Sequence, residues 1–328
     1  MPDASVMPVL EHNARPLTTH LSIVTPCYNE EAVLPETIRR LSALLDRLAA
    51  AGKVDAARSG IYFVDDGSFD ATWTLIEEAS TRDARIHGIK LSRNCGHQAA
   101  LLAGLQSAPG DAIVSIDADL QDDVNAIETM LDRFVAGDDI VYGVRKDRRS
   151  DSMFKRATAV AYYRLLAWMR VEVTFNHADY RLMSRRVIDC LHRYEEVNLF
   201  LRAIVPRLGF RASKVEYIRA ERFAGESKYP VWKMLKFALT GITSFSAFPL
   251  HLITLIGLTV FVGSMLLGAW ALWVRAFGNS FPGWASTVVP MYFLGGVQLL
   301  CTGIIGEYLS KIYLEVKRRP KYFIEKVL

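Results

Sequence analysis

Two long stretches without charged side chains constrain this chain more than any other feature of its sequence. No Asp, Glu, Lys or Arg occurs between Lys236 and Arg275, and none occurs again between Arg275 and Glu307. They contain two apolar windows, the 25 residues Leu250–Val274 and the 19 residues Val288–Gly306. As helices rising ~1.5 Å per residue, windows of this size match the ~30 Å hydrocarbon core of a bilayer. Because a loop rich in Gly, Asn and Pro joins them, the windows predict a transmembrane helical hairpin.

Basic residues flank this apolar region on both sides. They are Lys228, Lys233 and Lys236 before it, and Lys311, Lys317, Arg318, Arg319 and Lys321 after it. Positive flanks favour the cytoplasmic side, although the same charges could serve only to anchor the helices. Trp232–Ala247 mixes lysines with apolar and aromatic residues, which predicts an amphipathic helix at the membrane interface.

The rest of the chain has the composition of a soluble cytoplasmic domain. Its cysteines are scattered without a CxxC pair, which disfavours a zinc site or disulfides and fits a reducing compartment. A net charge of +4 is too small to indicate a nucleic-acid partner. Residues 1–20 contain no apolar run behind a basic start, so no signal peptide is expected. We therefore expect a multi-pass protein of the inner (cytoplasmic) membrane whose larger domain stays in the cytoplasm.

Residues 21–145 alternate short apolar runs with helical patterns. The runs predict strands at Leu21–Pro26, Ile61–Asp65, Ile86–Leu91, Ala112–Asp117 and Ile140–Val144, and the segments between them predict helices near 31–51, 70–81, 96–108 and 123–136. Farther along we expect a helix at 152–169, a strand at 178–183, one or two helices within 184–208 and a strand near 213–218. Buried strands that each lead into a helix indicate a mostly parallel sheet with right-handed crossovers. The pattern therefore predicts an α/β domain that binds ligands beyond the carboxyl ends of its strands.

Acidic motifs stand at the ends of three predicted strands. PCYNEE follows the first strand, DDGS ends the second and DADLQD ends the fourth. The carboxylates of DDGS suit hydrogen bonds to a base or a ribose, but Ser68 or Asp70 could instead cap the next helix. Asp117 and Asp119 are two residues apart in extended chain and so face the same side. Two carboxylates at the end of a buried strand indicate a cation, and oxygen ligands favour Mg²⁺ or Mn²⁺ with substrate phosphates completing the shell.

The series PCYNEE, VDDGS, LSRNCGHQAAL, DADLQD, ADYRLM, NLFLR and RFAGESKYP resembles the inverting family-2 glycosyltransferases. Those enzymes have the nucleotide-diphosphosugar transferase (GT-A) fold. GESKYP, followed by SFSAFPL and two terminal apolar helices, narrows the resemblance to bactoprenol (undecaprenyl-phosphate) glucosyltransferases and dolichol-phosphate mannose synthases. The resemblance runs from about Leu21 to Tyr313.

The resemblance implies a role for each matching position. The donor would contact Pro26, Tyr28, Glu30, Asp65 and Asp117. Asp119 and Gln121 would hold the Mg²⁺ or Mn²⁺ ion. Asp179 and Asp117 would be the catalytic carboxylates, and Asp179 would lie beside the transferred sugar. The acceptor phosphate would meet Arg145, Arg156, Arg222 and Lys228, although Arg145 and Arg156 could also be solvated surface charges. His177 is a structural histidine, a sugar contact or a metal ligand.

The resemblance also implies the reaction and the partners. A hexose would pass with inversion from a nucleotide diphosphate sugar, UDP-glucose before UDP-N-acetylglucosamine, to undecaprenyl or another polyprenyl phosphate. The β-linked lipid product would serve cell-envelope glycan modification. Because relatives form tetramers, the resemblance also implies a homo-oligomer. A phosphate acceptor is largely dianionic at neutral pH, so it needs positioning more than a general base. Asp179 would then orient the sugar or stabilise developing positive charge.

Three other interpretations were weighed. A processive polysaccharide synthase is disfavoured because the sequence has no QxxRW segment and too few apolar windows. A Rossmann dehydrogenase is disfavoured because no GxGxxG motif follows the first predicted strand. A non-catalytic membrane scaffold would leave DADLQD and GESKYP without a role. The expected organisation is an N-terminal extension (1–20), a catalytic domain (21–230), an interfacial helix (231–248), a transmembrane hairpin (249–313) and a basic tail (314–328).

Overall fold

The computed structural model describes residues 15, 18–146, 177–194, 196, 201–219, 248–277 and 284–328. They divide into two units. The described part of the first unit reaches residue 219 and resumes at Pro320, and that of the second unit spans 248–319. The predicted helix at 152–169 and the predicted interfacial helix before Phe248 lie outside the described residues. So do Arg156, Arg222 and Lys228.

The first unit alternates strands and helices as predicted. Its strands are β1 (Leu21–Cys27), β2 (Gly60–Asp65), β3 (Ile86–Leu91), β4 (Ala112–Ser115), β5 (Ile140–Arg145), β6 (His177–Ser184), β7 (Ala212–Tyr217) and β8 (Ile324–Val327). Its helices are α1 (Leu34–Ala50), α2 (Thr72–Arg82), α3 (His97–Ser107), α4 (Ala126–Val135), α5 (Arg185–His192) and α6 (Leu201–Arg207). The strands and helices predicted over residues 21–145 all form, with ends that shift by at most three residues.

The strands form one sheet in the order β7-β5-β6-β4-β1-β2-β3-β8. Within it, β6 and β8 run antiparallel to their neighbours, and the pairs β1–β2, β2–β3, β1–β4 and β5–β7 are parallel. The predicted α/β class with a mostly parallel sheet is therefore confirmed. The chain builds β1, β2 and β3 outward to one side and then returns to place β4 on the other side of β1. This reversal opens a crevice at the carboxyl ends of β1 and β4.

Helix α3 lies unusually close to the sheet. Its residues from Ala100 to Leu105 are all buried, because it packs on β1 and β2. A Cβ atom on Gly104 would lie 2.4 Å from Val24 Cγ1 and 2.7 Å from Val64 Cγ2, closer than carbon atoms can approach. Glycine at this position lets the helix approach the strands directly. The approach brings the first residue of α3, His97, to the crevice.

The C-terminal tail returns to the sheet as β8, which pairs antiparallel with β3. The backbone N–H of Ser92 donates to the carbonyl of Phe323 at 3.0 Å, and the N–H of Leu328 donates to the carbonyl of Gly88 at 2.8 Å. The side chain of Leu328 packs against the main core. The sequence analysis assigned no element to this tail, because a four-residue strand has no period of its own and depends on its partner.

The second unit contains two long apolar helices, α7 (Phe248–Ala276) and α8 (Trp284–Val316). Among the described residues, one segment is long and apolar enough to cross a membrane, Phe293–Val316 in α8. The apolar segment found in α7, Leu252–Leu267, is shorter. Large apolar side chains such as Leu266 and Leu299 are exposed along both helices. By length and composition, α8 is therefore suited to cross a membrane once. The second predicted crossing, by α7, stays a prediction.

Candidate active site

A pocket of about 280 Å³ opens in the crevice at the carboxyl ends of β1 and β4. Residues from the ends of β1, β2 and β4 and from the loop after β3 line it. They are Pro26, Cys27, Tyr28, Glu30, Asp66, Asn94, Gly96, His97, Ala100, Asp117, Ala118 and Asp119. Five predicted site residues therefore share one pocket: Pro26, Tyr28, Glu30, Asp117 and Asp119. Parallel strands bring their carboxyl ends to one edge, and this edge is where three separate motifs meet.

Asp66 shapes one wall of the pocket. It is 3% exposed, and its two carboxylate oxygens accept hydrogen bonds from the backbone N–H groups of Cys95 at 2.7 Å and Gly96 at 2.9 Å. Burial raises the pKa of Asp66, while these two N–H donors favour its charged form. The family resemblance implied the neighbouring Asp65 as the donor contact. Asp66 is instead the acid of DDGS that lines the pocket.

Asp65 does not line the pocket. It is fully buried, and one of its oxygens accepts from the backbone N–H of Ser68 at 3.2 Å. Its other oxygen, Oδ2, has no hydrogen-bond partner among the described residues. The predicted role of Asp65 at a base or ribose stays a prediction.

Asp117 forms the acidic floor of the pocket. The pKa of Asp117 is raised to about 6, chiefly because the carboxyl is buried; His97 opposes the rise, and the neighbouring acids Asp122, Asp179 and Asp119 add to it. Strand β4 ends two residues before Asp117, yet Asp117 and Asp119 both face the pocket as their spacing predicts. The two carboxylates therefore concentrate negative charge where a ligand would bind.

Gln121 leaves the pocket because the chain turns sharply before it. Leu120 has a φ angle of 55°, in the left-handed region that residues with side chains rarely adopt. Gln121 is consequently buried away from the pocket, and its amide oxygen accepts a hydrogen bond from Arg219. A metal ion at this oxygen would compete with Arg219. The predicted metal-binding role of Gln121 stays a prediction, and Asp119 is the better-placed ligand.

Asp179, on β6, lies next to the pocket floor and is 4% exposed. Its carboxylate accepts from the Nη2 of Arg181 at 2.6 Å, the Nε2 of Gln98 at 3.0 Å, and the Nη2 and Nε of Arg202 at 3.1 and 3.2 Å. Burial raises the pKa of Asp179, but His97 and the two arginines outweigh it and hold the pKa far below its usual range. Asp179 is thus a fixed anion with both oxygens engaged.

His97 joins the two acids, and the sequence analysis assigned it no role. Its Nε2 lies 3.4 Å from an oxygen of Asp179 and 3.6 Å from an oxygen of Asp117. Burial lowers the pKa of His97, but the two carboxylates outweigh this effect and raise it overall. A sequence signal existed: His97 follows Gly96 in the loop after β3, inside the LSRNCGHQAAL motif already quoted for the family resemblance. Gln98 was missed in the same motif.

Arg145 is the only predicted acceptor-phosphate residue that lies within the described part of the chain. Its guanidinium lies at the carboxyl end of β5, with Nε 3.4 Å from the hydroxyl of Tyr217 and Nη2 4.0 Å from Asp122. Asp122 also accepts a hydrogen bond from Tyr217. Arg145 therefore lies beside the DADLQD segment.

His177 is the first residue of β6 and pairs with Val144 of β5. Its three predicted roles stay predictions.

The residues at the pocket fit a divalent cation bound together with a phosphate. Asp117 and Asp119 supply hard oxygen ligands, and a bound cation would offset their negative charge. Within the described ranges, no three His, Cys, Asp or Glu side chains converge as a complete metal site. Mg²⁺ commonly uses one or two carboxylates and completes its shell with water and substrate phosphates, so two carboxylates suffice.

This chain belongs to glycosyl transferase family 2, whose model matches residues 22–191. The chain is a glycosyltransferase. It is 50% identical to the uncharacterized glycosyltransferase YkoT of Bacillus subtilis, over 93% of this chain and 91% of that protein. It is 42% identical to the SfII prophage-derived bactoprenol glucosyl transferase of Shigella flexneri, over 93% of this chain and 97% of that protein. The predicted family resemblance is confirmed.

Solved structures resemble this chain more distantly. Glucosyl-3-phosphoglycerate synthase from Mycobacterium tuberculosis, solved with Mn²⁺, uridine diphosphate and phosphoglyceric acid, superposes with a TM-score of 0.45 and 20% identity. The match covers 69% of this chain and 76% of that one.

Proposed function

We propose that this enzyme transfers a hexose from a nucleotide diphosphate sugar to a polyprenyl phosphate, with inversion at the anomeric carbon. UDP-glucose is the favoured donor, UDP-N-acetylglucosamine is the next, and undecaprenyl phosphate is the favoured acceptor. The product would be a β-linked lipid phosphosugar used to modify cell-envelope glycans.

One observation carries the proposal: the acidic motifs of three strands converge on a single pocket in a chain that is 42% identical to a bactoprenol glucosyl transferase. The lining of the pocket offers groups for both parts of a nucleotide diphosphate sugar. Tyr28, Glu30 and Asp66 line one part of it, where a nucleotide would lie. Asp117 and Asp119 line the part where a diphosphate and its cation would lie.

The residues of this chain then act mainly by positioning. Asp117 and Asp119 would hold Mg²⁺ or Mn²⁺, which stabilises the charge on the departing nucleotide diphosphate. Asp179 is fully engaged by donors and strongly ionised, which makes it a poor proton acceptor. This agrees with a polyprenyl phosphate that is already deprotonated at neutral pH. Asp179 therefore supports the reaction as a fixed charge beside the sugar.

The acceptor requires a site at the membrane surface, because its phosphate enters hydrocarbon only at high cost. Arg222 and Lys228 precede the predicted interfacial helix, and Arg145 lies beside the DADLQD segment. We propose that these cations, with Arg156, bind the acceptor phosphate. The two apolar helices would form the membrane hairpin. The return of the tail to the first unit as β8 supports an even number of crossings.

The proposal is tested by incubating membranes that contain the enzyme with undecaprenyl phosphate and a panel of radiolabelled nucleotide sugars. Label should enter a lipid phosphosugar from one UDP-hexose. The matched control is Asp117→Asn, which keeps the size of the side chain and should abolish transfer. Label that enters a growing polysaccharide would favour a processive synthase, and label that stays in the nucleotide sugar with every donor would refute the proposal.

The acceptor site has its own test in Arg222→Lys. Arginine pairs with phosphate through two parallel hydrogen bonds, which lysine cannot reproduce. The apparent KM for polyprenyl phosphate should therefore be higher in the variant, while its affinity for UDP should be nearly unchanged. If the positive charge at Arg222 only anchors the protein to the membrane, the lysine variant will behave like the wild type.

A further inference from the structure

The DADLQD segment (Asp117–Asp122) has a side that lines the pocket and a side that is buried. Asp117 and Asp119 line the pocket, whereas Gln121 and Asp122 are 8% and 4% exposed and do not line it. The left-handed turn at Leu120, with its φ angle of 55°, separates the two sides. Such a backbone conformation is costly for a residue with a side chain, so it persists only where surrounding contacts hold it.

Side chains at the end of β7 and just after it hold the buried side of this segment. The hydroxyl of Tyr217 donates to the carboxylate of Asp122, and the guanidinium of Arg219 donates to the amide oxygen of Gln121. Two consecutive residues therefore each have a donor of their own. A buried acceptor that loses its donor is destabilising, so these two contacts fix the positions of residues 121 and 122.

Tyr217 is itself held on several sides. It is 3% exposed, its ring packs edge-to-face on that of Tyr180 with centroids 5.3 Å apart, and its hydroxyl accepts from the Nε of Arg145 at 3.4 Å. Tyr180 is fully buried, and its own hydroxyl donates to the carbonyl of Asp123 at 2.8 Å. The two tyrosines thus anchor the end of the DADLQD segment to β6 and β7.

The buried side is connected to Asp119 by a backbone hydrogen bond. The N–H of Gln121 donates to the Oδ1 of Asp119 at 3.2 Å. Because Tyr217 and Arg219 fix residues 121 and 122, they also fix the N–H that orients the Asp119 carboxylate. Removing a group that orients a metal ligand typically lowers metal affinity by about 10–100-fold.

We propose that Tyr217 and Arg219 are positioning residues for the divalent cation that Asp119 would bind. They act through Asp122 and Gln121, the buried neighbours of Asp119 in the same motif. The inference rests on the proposed function, since it takes the cation of that reaction to be bound at Asp119. It adds the contacts that set the affinity for this cation, and these come from a strand that is 95 residues farther along the chain.

The first test measures the Mn²⁺ affinity of the purified full-length protein by electron paramagnetic resonance in the presence of UDP. Tyr217→Phe removes only the hydroxyl and should weaken Mn²⁺ binding by about tenfold. The matched control is Tyr62→Phe, because Tyr62 is a buried tyrosine of β2 whose hydroxyl is hydrogen-bonded to Ser22. Both variants lose a buried hydrogen bond and should melt below the wild type, but only Tyr217→Phe should lose Mn²⁺ affinity. Equal Mn²⁺ affinity in the two variants would overturn the proposal.

The second test uses Arg219→Ala, which is unlikely to disturb folding because Arg219 is exposed. Mn²⁺ binding should again weaken by about tenfold, since the amide oxygen of Gln121 loses its donor. Arg211→Ala is the control, because Arg211 is an exposed arginine at the other end of β7 that pairs with Asp138. It should bind Mn²⁺ like the wild type. Tighter Mn²⁺ binding in Arg219→Ala would mean that Arg219 withholds Gln121 from the ion, and tighter or unchanged binding would overturn the positioning role of Arg219.

These measurements need neither the sugar nor the lipid. If the wild type transfers no hexose to a polyprenyl phosphate but Tyr217→Phe loses Mn²⁺ affinity, the proposed function fails and this inference stands. If hexose transfer is observed and Tyr217→Phe binds Mn²⁺ as tightly as Tyr62→Phe, the inference alone fails. A wild type that binds no Mn²⁺ would overturn both the metal role and this inference.

Discussion

Replacing Asp66 by Asn tests how the loop after β3 is held against the pocket. Asp66 is 3% exposed and accepts two backbone hydrogen bonds, from Cys95 and Gly96, at 2.7 and 2.9 Å. Asparagine has one acceptor oxygen, so its NH₂ group would face one of these two N–H donors. A lost hydrogen bond to a charged group costs about 1.5–3 kcal/mol, and an unsatisfied buried N–H costs about 1–3 kcal/mol.

Part of this cost is offset, because burial raises the pKa of Asp66 and a neutral amide avoids burying a charge. We therefore expect a net loss of about 2 kcal/mol in the free energy of unfolding. At about 2–4 °C per kcal/mol for a domain of this size, the melting temperature should fall by about 4–8 °C. Nucleotide affinity should fall as well, since the loosened loop carries Gly96 and leads into His97, which both line the pocket.

The assay is thermal unfolding of the purified full-length protein, followed by titration with UDP. Asp132→Asn is the matched control, because Asp132 is an exposed acid that pairs with Lys53 on the surface. Such a surface pair contributes at most about 1 kcal/mol, so the control should melt close to the wild type. If Asp66→Asn melts with the control and binds UDP normally, the loop is held by other contacts and our account of this wall is wrong.

Three further predictions follow from the pocket and the sheet. Asp119→Asn should leave the melting temperature unchanged and lower turnover by orders of magnitude, whereas full activity in excess chelator would contradict a metal role. Gly67→Ala should lower both stability and UDP affinity, because Gly67 has a φ of 69° and an added Cβ would lie 2.6 Å from the backbone N of Asn94. The left-handed backbone alone costs about 1–2 kcal/mol, so an unchanged melting temperature would refute this. Removing Pro320–Leu328 should lower the melting temperature and expose the edge of β3, which light scattering would detect as aggregation.

The helices, the strands and the acidic motifs could be predicted because their signals lie in consecutive residues. An apolar run of five or six residues marks a buried strand wherever it packs, and the acids that follow it must then lie at the edge of the sheet. In this way Asp117 and Asp119 were predicted to face one site, and the family resemblance implied that Tyr28 and Glu30 belong to the same site. The charge-free windows indicated long apolar helices by the same local reasoning.

The choice between neighbouring residues needed the tertiary structure. Asp65 and Asp66 are adjacent carboxylates, and only the turn after β2 decides that Asp66 faces the pocket while Asp65 faces the interior. Likewise, the left-handed turn at Leu120 separates Gln121 from Asp119. A period of two predicts which side chains share a face only while the chain stays extended, and both motifs lie where it stops being extended.

The sequence by itself determined the α/β class, the family and the acidic half of the site. The contacts that join His97 and Arg202 to the predicted Asp179 were decided by the order of the strands. His97, Asp179 and Arg202 come from α3, β6 and α6, and they meet because β6 pairs with β4 while α3 packs on β1. Contacts between residues so far apart in the chain leave no local pattern, since they arise from the packing of whole elements. The same reason hid β8, whose four residues become a strand only by hydrogen bonding to β3.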